Sequence, residues 1–142
     1  MPLISMSTNE LKGVVEPAHA AIAKRLAKQV LECDPAVLSL MVLDKKGQVL
    51  AVERSVRLPE GEFIDDDALP KLAVVAKLIV GAAANVAEYT GRIQFLVGGF
   101  KNQKVLLIDL QEYDMVLAMR LARSANAEYV SNKIGETLGT AS

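Results

Sequence analysis

Few residues in this 142-residue chain are of a type that does covalent chemistry, and none is spaced to do it. His19 is the only histidine, so a Ser/His/Asp relay has no second position to draw on, and a metal site would need ligands that no His/Cys spacing offers. Its expected place is the surface or the start of a helix. Cys33 is the only cysteine and sits in Cys33-Asp34-Pro35, a helix-end context that reads as a small buried thiol rather than a nucleophile. Asp65-Asp66-Asp67 could suggest a divalent cation, but consecutive carboxylates lack the alternating ligand spacing of a calcium loop. They stand just before a helix, where anionic groups meet the positive end of its macrodipole, and an acidic docking patch is the other reading. Gly98-Gly99 lies in no phosphate-cradling pattern and reads as a strand bend. Lys101 and Lys104 flank a turn, and nothing singles out Arg57, Arg92, Arg120 or Arg123 as a catalytic cation. No catalytic, cofactor or metal site is expected.

The elements that would position these residues follow from pattern. A helix is expected from about Pro17 to Glu32, with Ala18, Ile22, Leu26, Val30 and Leu31 at helical spacing. Pro17 suits its first turn and Asp34-Pro35 stops it. Residues 37–43 and 48–52 are strand-like runs joined by Asp44-Lys45-Lys46-Gly47, which predicts a hairpin. After the polar connection 55–67, a long helix is expected from Leu69 to Thr90, closed by Gly91. Strands follow over 92–97, 105–110 and 115–120, and then a helix from about Asn126 to Leu138 that Ser124 or Asn126 could cap. The order α-β-β-α-β-β-β-α brings strands in hairpins, which predicts a single α/β domain with a five-stranded antiparallel sheet. No repeat or flexible linker divides the chain. The expected organisation is an N-terminal extension over 1–16, the domain over 17–138 and a tail over 139–142.

Composition points the same way. The net charge of -1 argues against a dedicated nucleic-acid binder. A lone cysteine is consistent with a reducing cytoplasm, and Met1 to Gly13 shows no basic stretch leading into an apolar run. Hydrophobic residues make up 51% of the chain but aromatic ones only 4%, so small aliphatic side chains build the core.

The middle helix carries more apolar surface than one sheet can cover. At about 100° per residue, Lys71, Lys77, Asn85 and Glu88 share roughly 120° of its circumference and the rest is apolar or small. One sheet needs an apolar stripe of only about 100°. The charges interrupt any run of the ~18–20 apolar residues a membrane span requires, so no integral membrane segment is expected. Another helix of the same chain or a second subunit must cover the surplus. Leu72, Val75, Ile79 and Val86 form a bulky stripe suited to the sheet. Ala73, Ala76, Val80, Ala84 and Ala87 form a face of mostly small residues that would let a second helix axis approach closely. On this reading the small face is the dimer contact, and Ala84→Glu would split the dimer.

The element order, the Val42-Leu43-Asp44-Lys45-Lys46-Gly47 turn, the alanine-rich middle helix and the strand from Ile93 to Val97 together resemble the roadblock family of dynein-light-chain type. The resemblance spans about Pro17 to Leu138. It implies a homodimer in which the middle helices pack together and the third strands pair edge to edge, which adds Ile93, Phe95 and Val97 to the expected interface. It also implies a non-enzymatic scaffold or regulatory module for a small Ras-like GTPase, or a partnership with another roadblock-like protein. The 55–67 connection is long and acidic for that family. A small-molecule-binding sensor is the alternative, against which the low aromatic content counts, since ligand pockets are usually lined by hydrophobic and aromatic groups.

Overall fold

A computed structural model of the chain describes residues 8–56, 58, 67, 69–91, 94–101 and 103–139, with side chains from residue 19 onward. The elements are α1 (Thr8–Cys33), β1 (Val37–Asp44), β2 (Val49–Arg54), α2 (Leu69–Asn85), α3 (Ala87–Thr90), β3 (Phe95–Gly99), β4 (Lys104–Leu110), β5 (Met115–Leu121) and α4 (Ala127–Leu138). The strands form one antiparallel sheet in the order β2-β1-β5-β4-β3. This is the α/β architecture the hairpin pattern predicts, and the long middle helix lies on the sheet.

Helices cover both faces of that sheet. On one face Ala23, Leu26, Ala27 and Val30 of α1, with Val130 and Ile134 of α4, pack on Leu40, Val42, Leu106, Leu117 and Met119. On the other, Ala73 and Ala76 of α2 pack on Met41, Leu43, Leu107, Val116 and Ala118. Strands β1 and β5 lie in the middle of the sheet and are buried on both sides. That is why Val37–Leu43 and Met115–Leu121 read as near-continuous apolar runs rather than alternating ones.

The β1–β2 turn is built by its own residues. The Asp44 carboxylate accepts the backbone N–H of Lys46 and of Gln48, both at 2.9 Å, and Gly47 takes φ +87°. The stem of Lys77 on α2 lies against Gly47, with its Cδ 2.8 Å from where a Cβ would stand, so no side chain fits there without displacing the lysine. At α4 it is Asn126 that caps, its side chain accepting the Tyr129 N–H at 3.0 Å.

Three elements differ from expectation. Helix α1 begins at Thr8, so Pro17 falls inside it and His19 lies mid-helix rather than at its start. The sequence Ser7-x-x-Glu10 has the spacing of a capping box. The middle helix is interrupted at Val86 (φ -110°, ψ 8°), where the N–H groups of Tyr89 and Thr90 and the Thr90 hydroxyl all converge on the Val86 carbonyl. It resumes as α3 and closes at Gly91, φ +80°. The third strand runs Phe95–Gly99, continuing through Gly98-Gly99 instead of bending there. Gly98 leaves room for the Phe100 ring, whose Cε2 stands 2.9 Å from where a Cβ would be. Arg92 and Ile93 lie outside the described residues, as do Arg57, Asp65 and Asp66.

Candidate interaction surface

The rotational phase of α2 decides which of its faces a partner can reach. Leu69, Leu72, Ala73, Ala76 and Val80 are the residues that meet the sheet. Ala73 and Ala76, 3% and 2% exposed, are sealed against their own chain. Of the bulky stripe, Leu72 packs on the sheet, while Val75 and Ile79, 47% and 40% exposed, and Val86 lie on the exposed flank. The expected orientation, in which bulky residues packed on the sheet and small ones faced outward, holds for Leu72 and Ala84 and is reversed for Val75, Ile79, Ala73 and Ala76. The reason lies beneath the helix. β1, β4 and β5 already raise Met41, Leu43, Leu107 and Val116 on that face, and small side chains let the helix settle on them. Of the other small-face residues, Val80 and Ala87 are half-buried, while Ala84 is exposed on the flank shared with Lys77.

The bulky stripe faces the β3 side of the sheet. Val75 and Ile79 share the lining of one cleft with Val97 and Phe100. β3 is an edge strand, bonded through Phe95–Gly99 to β4 on one side and to nothing on the other among the described residues. An unpaired strand edge is a template for another strand. Phe95 turns inward to the α1 side of the core, and Val97 is exposed. An apolar helix flank and an open strand edge therefore adjoin.

The cleft itself, about 220 Å³, lies between α2 and the sheet. Its walls include Leu72, Leu96, Leu107 and Ala118. At one end the strand register sets Arg54, Ser39 and Arg120 side by side on three neighbouring strands, continuing through Val105 to Gly98. Ser39 and Arg120 belong to the cleft lining. The sequence signal was available, since Ser39 is the only polar residue in Val37–Leu43 and lies two positions from Met41, on the same face of the strand.

Other polar contacts tie elements of the fold together. The Asp34 carboxylate accepts the Ala36 N–H at 2.8 Å and pairs with Lys133 of α4 at 3.2 Å, which ties the end of α1 to α4. Cys33 is half-buried rather than fully enclosed. Burial, and then the neighbouring Asp34 carboxylate, push its thiol above its ordinary range, against the pull of Lys133. At neutral pH it stays in the unreactive protonated form. The Lys133 ammonium is in turn held above its usual value, chiefly by its hydrogen bond to Asp34. Lys45 pairs with Asp109, which also accepts from Gln111. Among the described residues no three His, Cys, Asp or Glu side chains stand together as metal ligands.

No protein-family model matches the sequence, and no curated relative does. Solved structures do resemble the fold. A roadblock/LC7 domain from Streptomyces avermitilis superimposes with a TM-score of 0.62 at 15% identity, covering 82% of this chain and 92% of that one. An MglB in a tetrameric arrangement gives 0.66 at 19% identity, covering 84% and 85%. Myxococcus xanthus MglB gives 0.56 at 16%, covering 88% and 85%. At these identities the likeness is one of architecture, and the architecture it establishes for this chain is the roadblock fold.

Proposed function

We propose that the chain is a non-enzymatic, homodimeric regulatory or scaffolding module that binds a small Ras-like GTPase in the cytoplasm. The observation that carries the dimer is the adjoining of the outward α2 stripe, Val75, Ile79 and Val86, to the open edge of β3. A second copy related by a two-fold axis would present the same stripe and the same edge, as an isologous contact requires. Phe95 and Val97 stay in the proposed contact as members of the pairing strand, and Ile93 as an expectation outside the described residues. Ala73 and Ala76 leave it, because their own chain covers them.

The GTPase is supported by the roadblock resemblance and by the MglB structures that share this architecture. Fold alone does not fix function, so the assay must be direct. Purified Ras-like GTPases from the same organism, loaded with GTP, are mixed with the chain, and complex formation and single-turnover hydrolysis are followed. A stable complex or a changed hydrolysis rate with one of them is the expected result. Neither effect with any of them would contradict the proposal. No described helix is long and apolar enough to cross a membrane. The alternative reading, a small-molecule sensor, draws support from one feature, the cleft beneath α2.

A further inference from the structure

We propose that the cleft between α2 and the sheet binds a medium-chain fatty carboxylate, with the alkyl chain lying between helix and sheet and the carboxylate held by Arg120 beside Ser39. This inference stands apart from the GTPase.

The width of the cleft comes from two small residues on facing walls. Ala76 on α2 and Ala118 on β5 are both buried there, and the walls around them are Leu72, Leu96 and Leu107. An apolar slot of this kind excludes a polar ligand along its length. Its volume of about 220 Å³ falls below the roughly 300–1,000 Å³ of pockets for drug-sized ligands. That suits one short alkyl chain and leaves out sterols and two-chain lipids.

The charge at one end selects the head group. Arg54 and Arg120 flank Ser39 on neighbouring strands, and their Cα atoms are therefore about 10 Å apart, two strand spacings. Ser39 is 5% exposed and Arg120 is half-buried, so an anion reaching them meets cationic and hydroxyl donors away from bulk water. Both arginines already interact within the chain. A guanidinium carries five N–H donors, enough to hold a carboxylate beside another partner. A cationic or neutral head group gains nothing there.

Val75, Ile79, Val97 and Phe100 border the cleft, and they are also the flank proposed for the second copy. A second copy would then close over a bound chain.

The test is calorimetric titration of the full chain with octanoate, octanol and octylammonium, each below its aggregation limit. The wild type is compared with Arg120→Met and with Ala118→Leu, which fills the slot. The expected result is one octanoate per chain, bound at least tenfold more tightly than octanol or octylammonium. Arg120→Met should remove that tenfold preference while leaving octanol binding unchanged, and Ala118→Leu should abolish binding of both. No octanoate binding, or binding no tighter than that of octanol and octylammonium, overturns the proposal. The head-group comparison on the wild type decides the matter even if a variant fails to fold. A dimer that excludes octanoate overturns it too, because its partner copy then fills the cleft.

Discussion

Replacing Ile79 with alanine separates the two faces of α2 as dimer contacts. Fully burying an isoleucine side chain stabilises by about 1.5–3 kcal/mol. Ile79 is 40% exposed in the single chain, so a second copy could bury roughly the last two fifths, about 0.6–1.2 kcal/mol per chain. A two-fold contact counts the residue twice, which gives roughly 1.2–2.4 kcal/mol per dimer. At 1.4 kcal/mol per tenfold change, the dimer dissociation constant of Ile79→Ala should rise roughly 7- to 50-fold. The part of Ile79 already buried in its own chain costs the fold about 0.9–1.8 kcal/mol more, read separately as a lower Tm. Sedimentation equilibrium on Ile79→Ala and on Ala84→Glu gives the comparison. Ala84 is exposed beside Lys77 on the far flank, so its substitution should leave the dissociation constant nearly unchanged. A dimer untouched by Ile79→Ala but split by Ala84→Glu would refute the orientation argument and restore the small-residue face as the contact.

Other substitutions probe the rest of the fold. Ala76→Asp places a carboxylate in the sealed layer beneath α2 and should destabilise the monomer by several kcal/mol, seen as loss of cooperative thermal unfolding. Leu117→Ala, fully buried at the centre of the α1 side, should cost about 2–5 kcal/mol in urea titrations. Asn126→Ala removes the α4 cap and should cost about 1 kcal/mol. Cys33 should alkylate with iodoacetamide more slowly at pH 8 than a free thiol, because the fold holds its proton more tightly. That linkage stabilises the folded state fully below a free thiol's value of about 8.5 and is lost as pH rises through the higher folded value. A reaction as fast as that of free cysteine would show that the thiol is neither desolvated nor opposed by Asp34.

Much of this architecture was legible because local patterns were unambiguous. The Asp44–Gly47 turn carries its own hydrogen bonds and its own positive φ, and Gly91 and Gly139 end their helices with the backbone only glycine adopts easily. The order of elements then left few ways to build a sheet. The phase of α2 was not legible. Its small and bulky stripes are both apolar, and which one meets the sheet depends on the side chains that β1, β4 and β5 raise beneath it. Pairings between distant strands set that relief, and the sequence of α2 alone does not contain it. The row Arg54–Ser39–Arg120 needs the same register across β2, β1 and β5, although the parity of Ser39 with Met41 pointed to its face. The break at Val86, where the Val86 N–H bonds the Ala83 carbonyl three residues back, is too small to show in a 22-residue apolar pattern read by period.

The central claim to test is that a second copy covers the exposed flank of α2 and the open edge of β3. Solution mass by light scattering after size exclusion, over a wide concentration range, tests it most directly. A mass near twice 15.3 kDa, falling toward 15.3 kDa on dilution or with Ile79→Ala, is the predicted result. A mass of 15.3 kDa at every concentration would contradict it.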